Sequence, residues 1–263
     1  MPDLRLCTFN VHGWRDASQR VRSDDAIELL RAVDCDVVFL NEVASAEHIL
    51  QRVADALGCA VAFGPADHGF NAILSRLPLG DVEAVTLDAV AGRMRGALCA
   101  RIRVGDQDLD LTCTHLDHRR EDHRLLQLGQ LLEHLAGRAP RHLLGGDLNA
   151  MRCADYAPHE LAALAAARRD NGWEPAREDA VRALDAAGYV DLVRLAAAGS
   201  PARYRAELGA PIAAQHRVTS RVDSRIDYLF ASPALAPDVT VLDARTIRTD
   251  VSDHHLVAVT LRV

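Results

Sequence analysis

Short apolar segments that end directly in a polar cluster are the feature of this sequence that most limits its possible folds. The segments are rich in β-branched and aliphatic residues and are bounded by Gly, Asp or Pro, a pattern typical of buried strands. A chain with several such strands must form at least one sheet. We predict strands at 4–11, 36–43, 70–75, 97–104, 109–116, 142–148, 225–231 and 255–263.

Helical patterns separate several of these strands. Apolar residues recur every three to four positions at 24–33, 48–58 and 124–137, which is the period of an amphipathic helix. The Ala-rich segment 157–199 predicts two or three further helices, and the irregular, Arg-rich segment 200–224 predicts a long surface loop. Strands and helices therefore do not alternate strictly along the chain.

The order of these elements favours an α+β fold. The predicted strands at 97–104 and 109–116 are joined by a short turn that contains Gly-Asp-Gln, which indicates an antiparallel hairpin. Two mixed sheets packed face to face, with helices outside them, would bury both the strands and the apolar helix faces. Because no Pro-, Ser- or Gly-rich linker and no repeat interrupts the sequence, we expect one domain over residues 1–263.

Charge and composition exclude several classes of function. The formal net charge is −7, so the chain has no overall positive field that would attract a polyanion. All 30 basic residues are Arg, which excludes chemistry that requires a Lys, such as Schiff-base formation. No apolar segment approaches the roughly 20 residues needed to span a bilayer, and the N-terminal residues read as a strand. We therefore expect a cytoplasmic protein without a membrane segment, and no protein partner is predicted.

Polar residues stand at the ends of the apolar strands, where an amide or carboxyl group is costly to bury unless it is paired or bound to metal. One such residue would mean little, but six positions with the same character indicate that the strand ends meet at one polar pocket. The positions are Asn10, Glu42, His115, Asp147 with Asn149, Asp227, and Asp253 with His254.

The donor atoms of this set suit a hard divalent cation. Asn10, Glu42 and Asp253 offer oxygen ligands, which favour Mg²⁺ or Mn²⁺ over metals that prefer soft ligands. Asp147 and Asn149 are two residues apart at a strand end and so point to the same side. One of them can orient a water molecule while the other donates a hydrogen bond to a phosphate oxygen.

His254 needs a partner that fixes its tautomer or holds its charge, and Asp227 is the candidate. An imidazolium held in this way would stabilise the additional negative charge of a pentavalent phosphorus. The residues therefore favour phosphoester hydrolysis.

The ordered motifs FNVHG, NEV, NAILSR, THLDH, GGDLNA, RIDYLF and SDHH resemble those of the endonuclease/exonuclease/phosphatase (deoxyribonuclease-I-like) superfamily. The resemblance extends from residue 4 to residue 262 and keeps the family order. It implies a four-layer α/β/β/α sandwich and a hydrolase that depends on Mg²⁺ or Mn²⁺. It also implies that Asn10 and Glu42 lie at the metal, with Glu42 as the principal ligand, and that Asp253 lies near a metal.

The resemblance further implies catalytic roles. Asp147 would position or deprotonate the attacking water, and Asn149 would contact the phosphate. His115 would hold the scissile phosphate or the leaving group, and Asp227 would pair with His254. Because coupled acids share protons, the sequence does not identify the general base.

Three further residues are candidates for substrate binding. Asn71, Arg95 and Arg225 lie beside the motif strands, and Arg guanidinium groups are well shaped for phosphate. The alternative is a solvated arginine face in a chain that uses only Arg. Trp14 and Trp173 can stack on a nucleic-acid base, although a core or lid role fits them equally.

Two departures from the family pattern bear on the site. Asn41 precedes the glutamate where the family more often has Gln, and because both are amides we expect little consequence. His12 follows the first motif, where an acid or Ser is frequent. It either lies near the metal or caps a turn with Gly13.

Three functions are compatible with these features. The first is a phosphodiesterase or nuclease that acts on nucleic acid or a nucleic-acid adduct, for which any basic rim must be local. The second is a phosphatase or phosphodiesterase that acts on a lipid or a soluble small-molecule phosphate; the polar segment 200–224 disfavours membrane attachment. The third is an inactive binding module, which would have lost acid or histidine positions that this chain keeps.

Overall fold

Two six-stranded mixed sheets form the centre of the protein. The computed structural model describes residues 3–44, 47–64, 70–90, 93–138 and 140–263. The first sheet has the order β11 (Thr240–Ile247), β12 (Leu256–Arg262), β1 (Asp3–Asn10), β2 (Val37–Asn41), β4 (Ala72–Ser75) and β3 (Ala60–Phe63). The second has the order β5 (Gly80–Val90), β6 (Arg93–Val104), β7 (Gln107–His115), β8 (His142–Asp147), β10 (Asp227–Ala231) and β9 (Val190–Asp191).

Each sheet contains one parallel pair among antiparallel neighbours. β1 pairs with β2 in parallel, and β7 pairs with β8 in parallel. The carboxyl ends of the two strands in each pair therefore lie at the same edge of their sheet. β10 runs antiparallel to β8, which places the first residue of β10 beside the last residue of β8.

Alternation along the strands divides the side chains between two cores. In β1, Leu4 and Leu6 pack in the core between the sheets, whereas Cys7 and Phe9 pack outward against helices. Each fully buried Leu or Phe contributes roughly 1.5–3 kcal/mol relative to an exposed one. Burial on both faces explains why these strands are almost continuously apolar in sequence.

Helices cover the outer face of each sheet. α1 (Ser23–Val33) and α2 (Glu47–Leu57) pack on the first sheet, and α3 (Glu121–Ala136) and α5 (Asp179–Ala186) pack on the second. This confirms the predicted four-layer α/β/β/α sandwich. The other helices in the described residues are α4 (Pro158–Asp170), α6 (Leu192–Ala198) and α7 (Pro201–Ala206).

The eight predicted strands and the helices at 24–33, 48–58 and 124–137 are confirmed to within a few residues. The segment 200–224 is not entirely a loop, because α7 begins there. Ser200 accepts a hydrogen bond from the Arg203 amide at 3.3 Å, Pro201 occupies the first turn, and the buried Tyr204 anchors the helix. None of the helices in the described ranges is long and apolar enough to cross a membrane.

Candidate active site

The inward face of the central strands changes from apolar to polar at one end. In β7 the inward side chains run from Leu111 and Cys113 to His115, and in β8 they run from Leu143 to Asp147. Because alternate residues share a face, the side of each sheet that supplies the core also supplies the site. The polar residues at this end are therefore held by the same packing that stabilises the fold.

The strand register brings the predicted residues together. Asp147 lies opposite His115 in the parallel pair and opposite Asp227 in the antiparallel pair. In the facing sheet, Asn10 is paired with Asn41, and Asn41 directly precedes Glu42 in the chain. The structure thus gathers these strand ends around Asp147.

Asp147 occupies the centre of the cluster and is almost fully buried. Its Oδ2 accepts a hydrogen bond from Asn10 Nδ2 at 3.1 Å, and its Oδ1 accepts one from the Asn149 amide at 2.8 Å. Burial and the negative charge of Asp227 raise the pKa of Asp147 to about 7. The carboxyl group is therefore poised to exchange a proton near neutral pH.

His254 contacts two carboxylates. Its Nδ1 lies 2.9 Å from Asp227 Oδ2, and its Nε2 lies 3.7 Å from Asp147 Oδ2. Burial alone would lower the pKa of His254, but the charges of Asp227 and Asp147 outweigh it and raise that pKa to about 10. Thr219 supports the Asp227–His254 pair, because its Oγ1 accepts a hydrogen bond from the Asp227 amide at 3.1 Å. The imidazole is consequently charged at neutral pH.

His115 has the opposite charge state. Burial and the nearby Arg95 guanidinium lower the pKa of His115 well below its ordinary range, so its imidazole is neutral. Arg95 Nη1 lies 2.9 Å from His115 Nδ1, and His115 Nε2 lies 3.7 Å from Glu42 Oε1. Two histidines held in opposite charge states within one cluster are a pattern found where acid and base chemistry is divided between residues.

The cluster offers ligand atoms for a metal ion. Glu42, His115 and Asp147 each present one ligand atom within 4.8 Å of the others. Asp147 and Asp227 form a second such group with His254, in which only the two carboxylates can bind a metal while the imidazole is protonated. Asp227 Oδ1 is buried without a hydrogen-bond partner among the described residues. A buried carboxylate oxygen without a hydrogen bond, beside a second carboxylate whose pKa is raised, would be stabilised by a cation. The oxygen-rich donor set therefore fits a hard divalent metal.

Glu42 lies at the solvent-exposed side of the cluster and is hydrogen-bonded to the buried Asn10. Asn10 Nδ2 donates to Glu42 Oε1 at 3.1 Å, and the Asn10 carbonyl accepts a hydrogen bond from Ser252 Oγ at 2.8 Å. Glu42 has φ 56°, a left-handed conformation that is unusual for Glu. Its side chain is 39% exposed, so its carboxylate reaches both the cluster and the solvent.

Asp253 lies apart from both ligand groups. Its carboxylate is 3.6 Å from His12 Nδ1 and 3.6 Å from Arg221 Nε. The His12 ring therefore faces a carboxylate at the rim of the site, while its backbone amide donates to Asn10 Oδ1 at 3.0 Å. A metal contact for Asp253 stays a prediction.

Arg225 does not reach the site, contrary to its prediction as a substrate-binding residue. It is 1% exposed, and its guanidinium donates two hydrogen bonds to Asp191 at 2.7 Å and one to Asp155 at 3.1 Å. The guanidinium also lies 4.4 Å from the ring centroid of Tyr228. A guanidinium paired twice inside the protein is unavailable to a phosphate, and the role of Arg225 is structural.

Asn71 supports the site from behind. It is fully buried, accepts a hydrogen bond from Asn41 Nδ2 at 2.8 Å and donates one to the Gly96 carbonyl at 2.9 Å. Asn41 in turn accepts the Asp147 amide at 2.8 Å. Asn41 therefore positions Asp147, a role that was not predicted although its place beside Glu42 in the motif pointed to it.

The sequence is similar to one family of known proteins. The sequence model of the Endonuclease/Exonuclease/phosphatase family matches residues 7–254. The uncharacterized protein YbhP of Escherichia coli (strain K12) is 29% identical over 160 residues, which are 51% of this chain and 63% of that protein. The chain thus covers less than two thirds of this relative.

Solved structures share the fold at low sequence identity. An endonuclease/exonuclease/phosphatase from Beutenbergia cavernae is 22% identical with a TM-score of 0.71, over all of this chain and 72% of that chain. TDP2 of D. rerio, solved with a single-strand DNA product, is 21% identical with a TM-score of 0.67 over the whole of both chains. A family protein from Bacteroides vulgatus is 16% identical with a TM-score of 0.72, also over both whole chains.

Proposed function

The chain belongs to the endonuclease/exonuclease/phosphatase family, and from that membership and the geometry of the site we propose that it is a Mg²⁺-dependent phosphodiesterase that acts on nucleic acid or a nucleic-acid adduct. The observation that carries the proposal is the position of Asp147. Its carboxylate lies 3.7 Å from the charged His254 and 3.1 Å from Asn10, which also bonds Glu42. This arrangement supports a site in which a proton acceptor, a positive charge and metal ligands surround one point.

In the proposed site, Glu42 and Asn10 would hold the metal, with Asn10 offering the side-chain oxygen that accepts the His12 amide in the structure. A bound ion would polarise the phosphate and offset its negative charge. Asp147, whose pKa is about 7, accepts a proton from the attacking water. His254 donates a hydrogen bond to a non-bridging phosphate oxygen, where negative charge increases as the water oxygen bonds to phosphorus and the bond from phosphorus to the leaving-group oxygen breaks.

Three residues complete the proposed arrangement. The Asn149 amide donates to Asp147 and orients its carboxylate, and the Asn149 Nδ2 donates to the Leu116 carbonyl at 3.1 Å, which holds this residue beside a cavity where the phosphate would lie. His115 and Arg95 lie on the other side of the cluster, where a neutral imidazole and a guanidinium suit a phosphate or the leaving-group oxygen. Asp227 keeps His254 charged and oriented.

A substrate panel tests the proposal. Metal-stripped protein receives Mg²⁺, Mn²⁺ or EDTA with bis-p-nitrophenyl phosphate, p-nitrophenyl phosphate, labelled DNA and RNA, and phosphoinositide vesicles. We expect turnover only with metal, and faster turnover of the diester and the polynucleotides than of the monoester and the lipid. Metal-dependent turnover confined to the monoester or the vesicles would replace the nuclease assignment with a phosphatase or lipid assignment.

Metal binding is tested by replacing Glu42 with Gln. The variant loses one ligand charge, so we expect its affinity for Mg²⁺ to fall at least about tenfold. Mg²⁺ stabilises the folded protein by mass action, and the rise in unfolding temperature on adding Mg²⁺ reports this affinity. Glu28→Gln is the matched control, since Glu28 is exposed on α1. An equal response to Mg²⁺ in both variants and the wild type would exclude Glu42 as a ligand.

A further inference from the structure

A cavity of about 940 Å³ adjoins the candidate site. Asn149 and His254 of the site form part of its wall. A concentration of positive charge beside the site contrasts with the net charge of −7 for the whole chain. The wall also carries Trp173 and four arginines, which outnumber its two carboxylates, Glu174 and Asp253; the arginines are Arg119, Arg120, Arg168 and Arg221.

Trp173 lies in the wall of this cavity at a fixed backbone position. α4 ends in a Schellman motif, in which the Gly172 amide donates to the Arg169 carbonyl at 3.0 Å and the Trp173 amide donates to the Arg168 carbonyl at 2.8 Å. Gly172 has φ 65°, which the motif requires and glycine adopts without strain. Trp173 is 43% exposed and is the one aromatic residue among the exposed large hydrophobic residues that the structure describes.

Arg168 is a half-buried cation without a carboxylate partner. Its Nε donates to the Glu174 carbonyl at 2.6 Å, and its Nη1 lies 3.7 Å from Met151 Sδ. Within the described ranges, no carboxylate oxygen lies within 4.0 Å of its guanidinium. The Glu174 carboxylate is instead held by Arg124 and Arg177. An anion bound at Arg168 would supply the negative charge that no carboxylate of the described residues provides there.

We propose that this cavity is a subsite for one unpaired nucleotide of a single-stranded polynucleotide beside the scissile phosphate. The base stacks on Trp173, and the flanking phosphate binds the Arg168 guanidinium. The inference rests on the proposed function and adds strand preference to it. Inside a duplex both faces of a base are stacked and its edge is paired, so only an unpaired base can take the Trp173 face.

The shape of the cavity favours a nucleotide over a lipid surface. Trp173 lies in a concave wall that it shares with Asn149 and His254, whereas a membrane-anchoring aromatic residue must project from the surface. The Arg168 guanidinium and the Trp173 ring also match the two parts of a nucleotide, because a guanidinium binds phosphate and an aromatic ring stacks on a base.

The test compares a single-stranded oligonucleotide with methyl p-nitrophenyl phosphate, a small diester that has no base. For Trp173→Ala and Arg168→Ala we expect KM for the oligonucleotide to rise about 5- to 100-fold, and this loss to exceed the loss on the small diester at least about fivefold. Arg169→Ala, an exposed neighbour on α4 outside the cavity wall, is the matched control and should match the wild type. The wild type should also cleave the single strand faster than the same sequence in a duplex.

Direct binding separates this inference from the proposed function. In EDTA, binding of an oligodeoxythymidylate should quench the fluorescence emission of Trp173. The variant Trp173→Phe is the control, because its remaining emission comes from Trp14, which is buried. Equal losses of activity on the oligonucleotide and on the small diester in Trp173→Ala and Arg168→Ala would overturn the subsite. A loss of activity confined to phosphoinositide vesicles would also overturn it. If no diester is hydrolysed with any metal, the proposed function fails, and the presence or absence of quenching still decides whether the subsite binds a nucleotide.

Discussion

Replacing Asp147 with Asn should lower kcat for a phosphodiester by about 10³- to 10⁴-fold, because the variant lacks the group that accepts the proton of the attacking water. The change keeps the side-chain size and one acceptor oxygen, which can still accept the hydrogen bond from the Asn149 amide, whereas the bond that Asp147 Oδ2 accepts from Asn10 Nδ2 is lost. KM should change much less, since the loss falls on the transition state. The measurement is steady-state hydrolysis of bis-p-nitrophenyl phosphate at saturating Mg²⁺.

The stability of the same variant provides a second readout. The folded-state pKa of Asp147 is about 7, above its ordinary value of 3.8, so the folded protein holds a proton between these values that the unfolded chain releases. The stability that this group contributes is present below pH 3.8 and is lost as the pH rises through 7. In EDTA, the unfolding temperature of Asp147→Asn should therefore rise relative to the wild type from pH 4 to pH 7. A constant difference would mean that the carboxyl group does not titrate in this range.

The second large effect is expected for His254. Replacing it with Gln removes the positive charge that faces the phosphate but keeps a hydrogen-bonding group, and kcat should fall about 10²- to 10³-fold. In the wild type, His254 stays charged until the pH approaches its pKa of about 10. Activity should therefore decline only as the pH rises through about 10. In Asp227→Asn the partner charge at 2.9 Å is lost, and the alkaline decline should move to lower pH.

His255→Gln is the matched control for this prediction. His255 is adjacent in sequence, but its Nδ1 accepts the Thr249 amide at 3.3 Å, away from the carboxylates of the site. Its substitution should leave the pH profile of kcat in place. An unchanged alkaline limb in Asp227→Asn would contradict the electrostatic role assigned to the Asp227–His254 pair.

The candidate site was predictable because its residues interrupt apolar strands. Asp147 ends β8 and Asp227 begins β10, two buried strands that are otherwise mostly apolar, and such a position has few explanations other than pairing or ligand binding. The same contrast marked Asn10 and His115. The fold could be predicted for a related reason, since strands buried on both faces have the clearest apolar signal.

Edge strands gave no such signal. β11 carries Asp243 and Arg245 on a largely exposed surface, and β5 contains Asp81 and Glu83. Charged residues on an edge strand protect it from pairing with another chain, and they also erase the apolar pattern that identifies a strand. These two strands were therefore missing from the prediction.

The role of Arg225 could not be read from its neighbours in sequence. It stands two residues before Asp227, yet its partners Asp155 and Asp191 come from segments about 70 and 34 residues away. The folded structure shows that these carboxylates are paired with the guanidinium, which therefore cannot bind a phosphate. A local motif identifies chemistry at strand ends, but it does not show which charges are neutralised inside the protein.

The most direct test of the account is the rate of bis-p-nitrophenyl phosphate hydrolysis by metal-stripped protein as Mg²⁺ is added back. We predict no turnover in EDTA and saturable activation by Mg²⁺ in the wild type. In Asp147→Asn the rate with Mg²⁺ should be about 10³- to 10⁴-fold lower, although Mg²⁺ still raises the unfolding temperature of that variant. Turnover that persists in EDTA, or equal activation of the wild type and Asp147→Asn, would contradict a metal-dependent phosphoesterase centred on Asp147.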